Sequence, residues 1–133
     1  MRVRSIDAPR ERHAPRHYRG STLAGEDVSA EFTKPTLVLF VKQDCLGCRD
    51  VVTSPRDAFG DVATLIVAAT ASEEPWWSDS MHPVVISPTL IEELEVRWPP
   101  FYVLIDPSSQ RVVVEGVVFG SSQVRQEIAP FLV

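Results

Sequence analysis

The chain has 133 residues, 44% of them hydrophobic, and a net charge of −5; that suffices for one buried core and is short for two. Its longest apolar runs, TLVLFV at 36–41 and FYVLI at 101–105, fall far below the ~20 residues of a membrane-spanning helix, so no membrane span is expected. Residues 1–19 hold six arginines against Asp7 and Glu11, which leaves an acidic body that repels phosphate, and no nucleic-acid partner is expected.

The first 19 residues contain Pro9 and Pro15 and no apolar periodicity. They read as a basic tail, loosely ordered or docked on its own domain, ahead of a single domain over 20–133. The same stretch lacks an apolar h-region, so the chain as it reads is expected in the cytoplasm; a start further upstream would make it exported or membrane-anchored.

Gly25-Glu26-Asp27 signals a turn, and a small hairpin or irregular lead-in fits around it. Thr36 to Val41 is a continuous apolar run, the pattern of a strand buried on both faces. A helix is expected from the cysteines onward, with Asp44 as its N-cap, and Pro55 should kink or divide it, Ser54-Pro55-Arg56-Asp57 reading as a fresh helix start. Ala63 to Ala69 is a second buried strand. The long connection 70–88 holds Trp76, Trp77 and a possible short strand at Val84–Ile86. Ser87-Pro88-Thr89 opens a short helix through Leu90, Ile91 and Leu94. Phe101 to Ile105 is a third strong strand, Arg111 to Phe119 another interrupted at Gly116, and Ser121 or Ser122 caps a last helix bearing Val124 and Ile128. Strand and helix alternation followed by a strand pair and a helix predicts an α/β fold: parallel βαβ units, an antiparallel hairpin, and helices on both faces of a central mixed sheet.

Both cysteines fall in VKQDCLGCR at 41–49, at the carboxyl end of the first central strand, where open α/β sheets site their chemistry. Two are too few for a disulfide scaffold, and a Cys-x-x-Cys pair points to redox or metal chemistry. Zinc needs about two further ligands, and His13, His17 and His82 show no such spacing; no metal or cofactor is expected. Two small buried core residues are the plainest alternative. A thiol at a helix start meets unpaired N–H groups that favour the thiolate. Cys45 occupies that position, and Cys48 lies one turn on along the same face.

A strand, a Cys-x-x-Cys helix and, much later, a proline introducing a hairpin resemble the thioredoxin superfamily. VRWPPFYVLIDPSSQRVV at 96–113 is similar to the Val-Arg-Gly-x-Pro-Thr segment of TlpA/ResA-type thioredoxin-like reductases, and TLAGEDVSAEFTKPTLVLF at 22–40 to their lead-in hairpin and first core strand. The resemblance covers about residues 18–132. It implies a thioredoxin-like fold with an N-terminal hairpin extension. It also implies a thiol:disulfide oxidoreductase, more a reductant than a strong oxidant, with Cys45 attacking and Cys48 resolving and the family's cis-proline on Pro100. The implied partners are protein or small-molecule thiols and disulfides and an upstream electron donor.

The chain departs from that pattern at named positions. Asp44 replaces the usual Trp before the first cysteine; its charge opposes ionisation of Cys45, while Lys42 and Arg49 offset it. Lys42 also stands where a peroxidatic enzyme has Thr. Leu39 replaces the family's buried carboxylate, and Glu73, Glu74 and His82 are candidates to bring an acid or base to the site instead. Pro99, ahead of Pro100, has no N–H to offer an extended substrate, and Trp98 supplies an apolar contact in its place. Trp98, Pro99 and Pro100 form the expected substrate-binding stretch. The rival reading is a redox-inactive binding or chaperone-like module on the same fold.

Overall fold

The computed structural model describes residues 12–72 and 74–132. Seven strands form one mixed sheet: β1 (His17–Ser21), β2 (Asp27–Glu31), β3 (Thr36–Val41), β4 (Ala63–Ala68), β5 (Val84–Ile86), β6 (Phe101–Asp106) and β7 (Arg111–Val117). Their spatial order is β2-β1-β5-β4-β3-β6-β7. Among the described residues three α-helices accompany them: α1 (Leu46–Val52), α2 (Pro88–Glu93) and α3 (Ser121–Ile128). Strands β3, β4 and β5 run parallel, as connections containing α1 and the 70–83 segment require, while β6 and β7 return antiparallel.

All six residues of β3 are buried, and the two-residue period of a strand deals them to two cores. Leu37, Leu39 and Val41 face Val51 and Val52 of α1 and Val124 and Ile128 of α3, with Cys48, Trp77 and Tyr102 in the same cluster. Val38 and Phe40 face Leu90, Leu94 and Val96 around α2, with Phe32 and Ala14. Each such aliphatic side chain contributes about 1.5–3 kcal/mol by leaving water, so β3 is the strand on which both layers depend.

Four local expectations change. The helix at the cysteines is capped by Cys45, because Asp44 stands in the left-handed region at φ 53°. No second helix follows Pro55: α1 stops at Val52, and the chain passes through turns to Gly60 at φ 90°. Strand β7 continues through Gly116, where the missing Cβ leaves room for the Tyr102 ring, 3.1 Å from the position a methyl would take; it ends at Val117, leaving Phe119 outside. The last helix takes Gly120 as its N-cap residue in place of a serine.

The lead-in is a hairpin, β1 pairing β2 over five residues and touching β5 at Ser21 and Ile86. The boundary expected between residues 19 and 20 therefore falls inside β1. Upstream of it, Val112 donates its N–H to the Arg12 carbonyl (3.0 Å) and Ala14 to the Gln110 carbonyl (2.9 Å), flanking a bridge between His13 and Arg111. The Arg12 guanidinium pairs with Glu115 at 3.3 Å and bonds the Leu94 carbonyl. Residues 1–11 of the basic stretch lie outside the described residues.

Candidate active site

Strand β3 delivers the chain at Val41 to a three-residue turn, and Asp44 reverses its direction. Cys45 follows in extended conformation, φ −133° and ψ 113°, as the N-cap of α1. Its Sγ accepts the Cys48 N–H at 3.1 Å, taking the part that a Ser or Asp oxygen usually plays at a helix start. Cys48 lies in the first turn of α1 and is fully buried, whereas Cys45 is half-exposed. The two are joined as a disulfide with Cα atoms 5.2 Å apart. The Lys42 N–H points to Cys48 Sγ at 3.4 Å. Each sulfur thus has a backbone N–H beside it, and such donors stabilise whichever sulfur carries charge once the bond opens.

The first turn of α1 sits on the loop ahead of β6. A Cβ on Gly47 would lie 3.8 Å from Pro100 Cγ and 3.8 Å from the Val118 carbonyl oxygen. The Val118 N–H donates in turn to the Pro100 carbonyl at 3.1 Å, and the Pro99–Pro100 peptide is cis. Pro100 is therefore beside the cysteines although more than fifty residues separate them in sequence. Trp98, 79% exposed, borders an open groove of about 570 Å³ with Val96, Phe101 and Val117. Leu46, between the cysteines, and Phe119, next to Val118, are also exposed, at 88% and 80%. Sequence reading placed Phe119 in a strand and missed this apolar rim; the adjoining Gly120 was the available signal that β7 ends early.

The remaining candidates separate. The Lys42 and Arg49 side chains are exposed, and at Lys42 the contact to sulfur comes from the backbone. His82 is buried far along the 70–83 segment against Ser54 and Phe59: its Nε2 lies 3.0 Å from Ser54 Oγ. Since Ser54 donates its hydroxyl proton to the Val51 carbonyl at 2.7 Å, it accepts from the imidazole. Burial holds His82 below the usual histidine pKa, and the charge of Arg56 acts in the same direction. Glu74 reaches the loop that carries Cys45: its Oε1 accepts the Asp44 N–H at 3.2 Å. Glu73 lies outside the described residues. Leu39 is buried opposite Tyr102 of β6, whose hydroxyl donates to Glu127 Oε1 at 2.5 Å; burial, and after it that contact, keeps the phenol protonated beyond its usual range. Among the described residues no three His, Cys, Asp or Glu side chains gather as a metal site, and no helix is long and apolar enough to cross a membrane.

The chain matches no protein-family model and no curated protein. Solved structures do resemble it. The thioredoxin domain of a thiol-disulfide oxidoreductase from Bacteroides vulgatus is 20% identical, with a TM-score of 0.65 over 91% of this chain and 96% of that one. A thiol:disulfide interchange protein from a Bacteroides species is 19% identical, with a TM-score of 0.63 over 92% and 89%. The DsbF protein of MTB, solved in mixed oxidized and reduced forms, is 18% identical, with a TM-score of 0.67 over 88% and 98%. Sheet order, the cysteine pair at the start of α1 and these likenesses together establish that the chain has a thioredoxin-like fold.

Proposed function

We propose that the protein is a thiol:disulfide oxidoreductase working as a reductant. The observation that carries this reading is the asymmetry of the pair: a half-exposed Cys45 at a helix N-cap bonded to a fully buried Cys48. In the reduced protein the Cys45 thiolate attacks one sulfur of a partner disulfide, forming a mixed disulfide and releasing the partner's other sulfur as a thiol once it takes a proton. The Cys48 thiolate then attacks Cys45 Sγ, the partner leaves as a dithiol, and the protein keeps the Cys45–Cys48 disulfide. Two electrons and two protons from an upstream donor reset it. Trp98 and Pro99-Pro100 receive the partner, which is a protein or a small-molecule disulfide; Asp44, Lys42 and Arg49 adjust how readily Cys45 ionises. The domain comprises 20–133 together with the docked residues 12–19. The compartment forms part of the proposal: the cytoplasm or, as the alternative, an exported or anchored form. One structural neighbour is an exposed lipoprotein thioredoxin of Streptococcus pneumoniae, and cell fractionation decides between the two.

Titration against a glutathione series tests the reading. A reversible two-electron transition between about −120 and −300 mV is expected. Cys48→Ser should accumulate mixed disulfides and Cys45→Ser should trap none. A pair that never closes in the titration, with both variants as active as the wild type, would replace this reading with the redox-inactive binding module.

A further inference from the structure

Asp44 is a side-chain-bearing residue at φ 53° immediately before the attacking cysteine. Left-handed backbone costs an L-residue roughly 1–2 kcal/mol, less for Asp than for most. Something must hold it there, because the direction of the Asp44–Cys45 peptide fixes where Cys45 Sγ points. Among the described residues the partner of its N–H lies thirty residues away, where Glu74 Oε1 accepts it at 3.2 Å.

Glu74 is itself fixed from several directions. Its Oε1 also accepts from Ser72 Oγ (3.2 Å), its Oε2 accepts from Trp76 Nε1 (3.1 Å), and its own N–H donates to Ser72 Oγ (3.1 Å). Trp76 leans on Trp77, ring centroids 5.7 Å apart, and Trp77 is buried in the cluster that also contains Cys48. A continuous set of contacts therefore runs from the core through Trp77, Trp76 and Glu74 to Asp44 and the sulfur. The carboxylate at its centre is half-buried and brings a second negative charge, beside that of Asp44, to the loop carrying Cys45.

We propose that Glu74 is a positioning residue of the redox centre: its hydrogen bond holds Asp44 in the left-handed conformation that aims Cys45, and its charge restrains ionisation of the Cys45 thiol. This rests on the redox reading above and assigns Glu74 a task within it. Hydrogen bond and charge separate in two variants. Glu74→Gln keeps one oxygen for the Asp44 N–H and removes the charge, losing only the acceptor for the Trp76 indole N–H; Glu74→Ala removes the charge and every one of these bonds.

The test uses the full chain, reduced, with Cys45 alkylation followed by mass spectrometry across pH, and the rate at which a preformed mixed disulfide on Cys45 is resolved by Cys48. With Gln, alkylation below its midpoint pH should rise roughly threefold, as expected for loss of one nearby charge in a water-like medium, while resolution stays within about twofold of wild type. With Ala, resolution should fall about fivefold, the worth of one hydrogen bond, and Gln should rescue it. Thermal melting of each variant separates these effects from loss of fold. Wild-type alkylation profiles and resolution rates in both variants, whatever their melting temperatures, would overturn the assignment and leave Glu74 as loop stitching. A wild-type chain whose cysteines never cycle would remove the redox reading itself and this proposal with it, an outcome distinct from a cycling wild type matched by its variants.

Discussion

The contact between α1 and the Pro100 loop assembles the site, and Gly47 is the place to probe it. A methyl group added there would meet Pro100 Cγ and the Val118 oxygen at 3.8 Å each, ordinary van der Waals contact, and the Gly47 backbone does not use the left-handed region. Gly47→Ala therefore adds no strain. It restricts the unfolded chain and improves helix propensity by up to about 1 kcal/mol, less in a first turn than in a helix interior. A gain of about 0.5–1 kcal/mol should raise Tm by roughly 2–5 °C for a domain of this size. Gly47→Val sends a further carbon toward Pro100 and Val118, inside contact distance, and should cost about 1–3 kcal/mol. Thermal and urea melts of the oxidised proteins measure both. Opposite signs for Ala and Val support the packing described. A loss with Ala beyond about 0.5 kcal/mol, or a neutral Val, would refute it and separate Pro100 from the cysteines.

Other outcomes follow from burial. His82 is held neutral, so its folded pKa lies below the unfolded value of about 6.5; the unfolded chain gains its proton first as pH falls, and stability should be level above about pH 6.5 and decline beneath it. Urea melts from neutral to mildly acidic pH should show that decline, and His82→Gln should flatten it; equal slopes would count against the buried neutral imidazole. Trp77 is 1% exposed and its indole N–H has no partner among the described residues, so Trp77→Phe should change stability by less than about 1 kcal/mol while Trp77→Ala costs about 3–5 kcal/mol, read by denaturant melts. A Cβ at Gly20 would collide with the Ile86 carbonyl and approach Val85 Cγ1 to 2.7 Å. Gly20→Ala should thus cost about 1–3 kcal/mol and open the seam between β1 and β5, visible as faster amide exchange around Ser21.

The central strands were legible because apolar runs such as TLVLFV and FYVLI have few alternatives to a doubly buried strand. The cysteine pair and Pro100 were legible as types and order, since each occupies a fixed place in a recurring pattern. What sequence withheld was set by distant partners. Asp44 looked like a cap because Asp is a good one; a carboxylate thirty residues on draws its N–H elsewhere, and a sulfur caps the helix in its stead. Ser54 looked like a second cap, yet its hydroxyl is committed to Val51 and His82. The seating of the lead-in hairpin beside β5 is set by the Ser21–Ile86 pair, the Ser87 hydroxyl on the Arg19 carbonyl and the close approach of Gly20, for which no local periodicity exists. His82 and Glu74 were equal candidates in the sequence and sit in unrelated surroundings in the fold.

The short pairing of residues 12–14 along β7 has a consequence for solubility. An outermost strand offers free N–H and C=O groups to any other chain, and β7 carries Val112, Val113 and Val114 in succession. The opposite rim, β2, is guarded by Asp27 and Glu31 at its ends. At β7 the guard is the chain's own Arg12 carbonyl and Ala14 N–H, laid over the start of the valine run. Removing residues 1–14 would leave the Cys45–Cys48 pair itself in place, while taking Arg12 from the groove beside Trp98, and would expose a sticky margin, so the shortened protein should still close its disulfide when dilute and self-associate as its concentration rises.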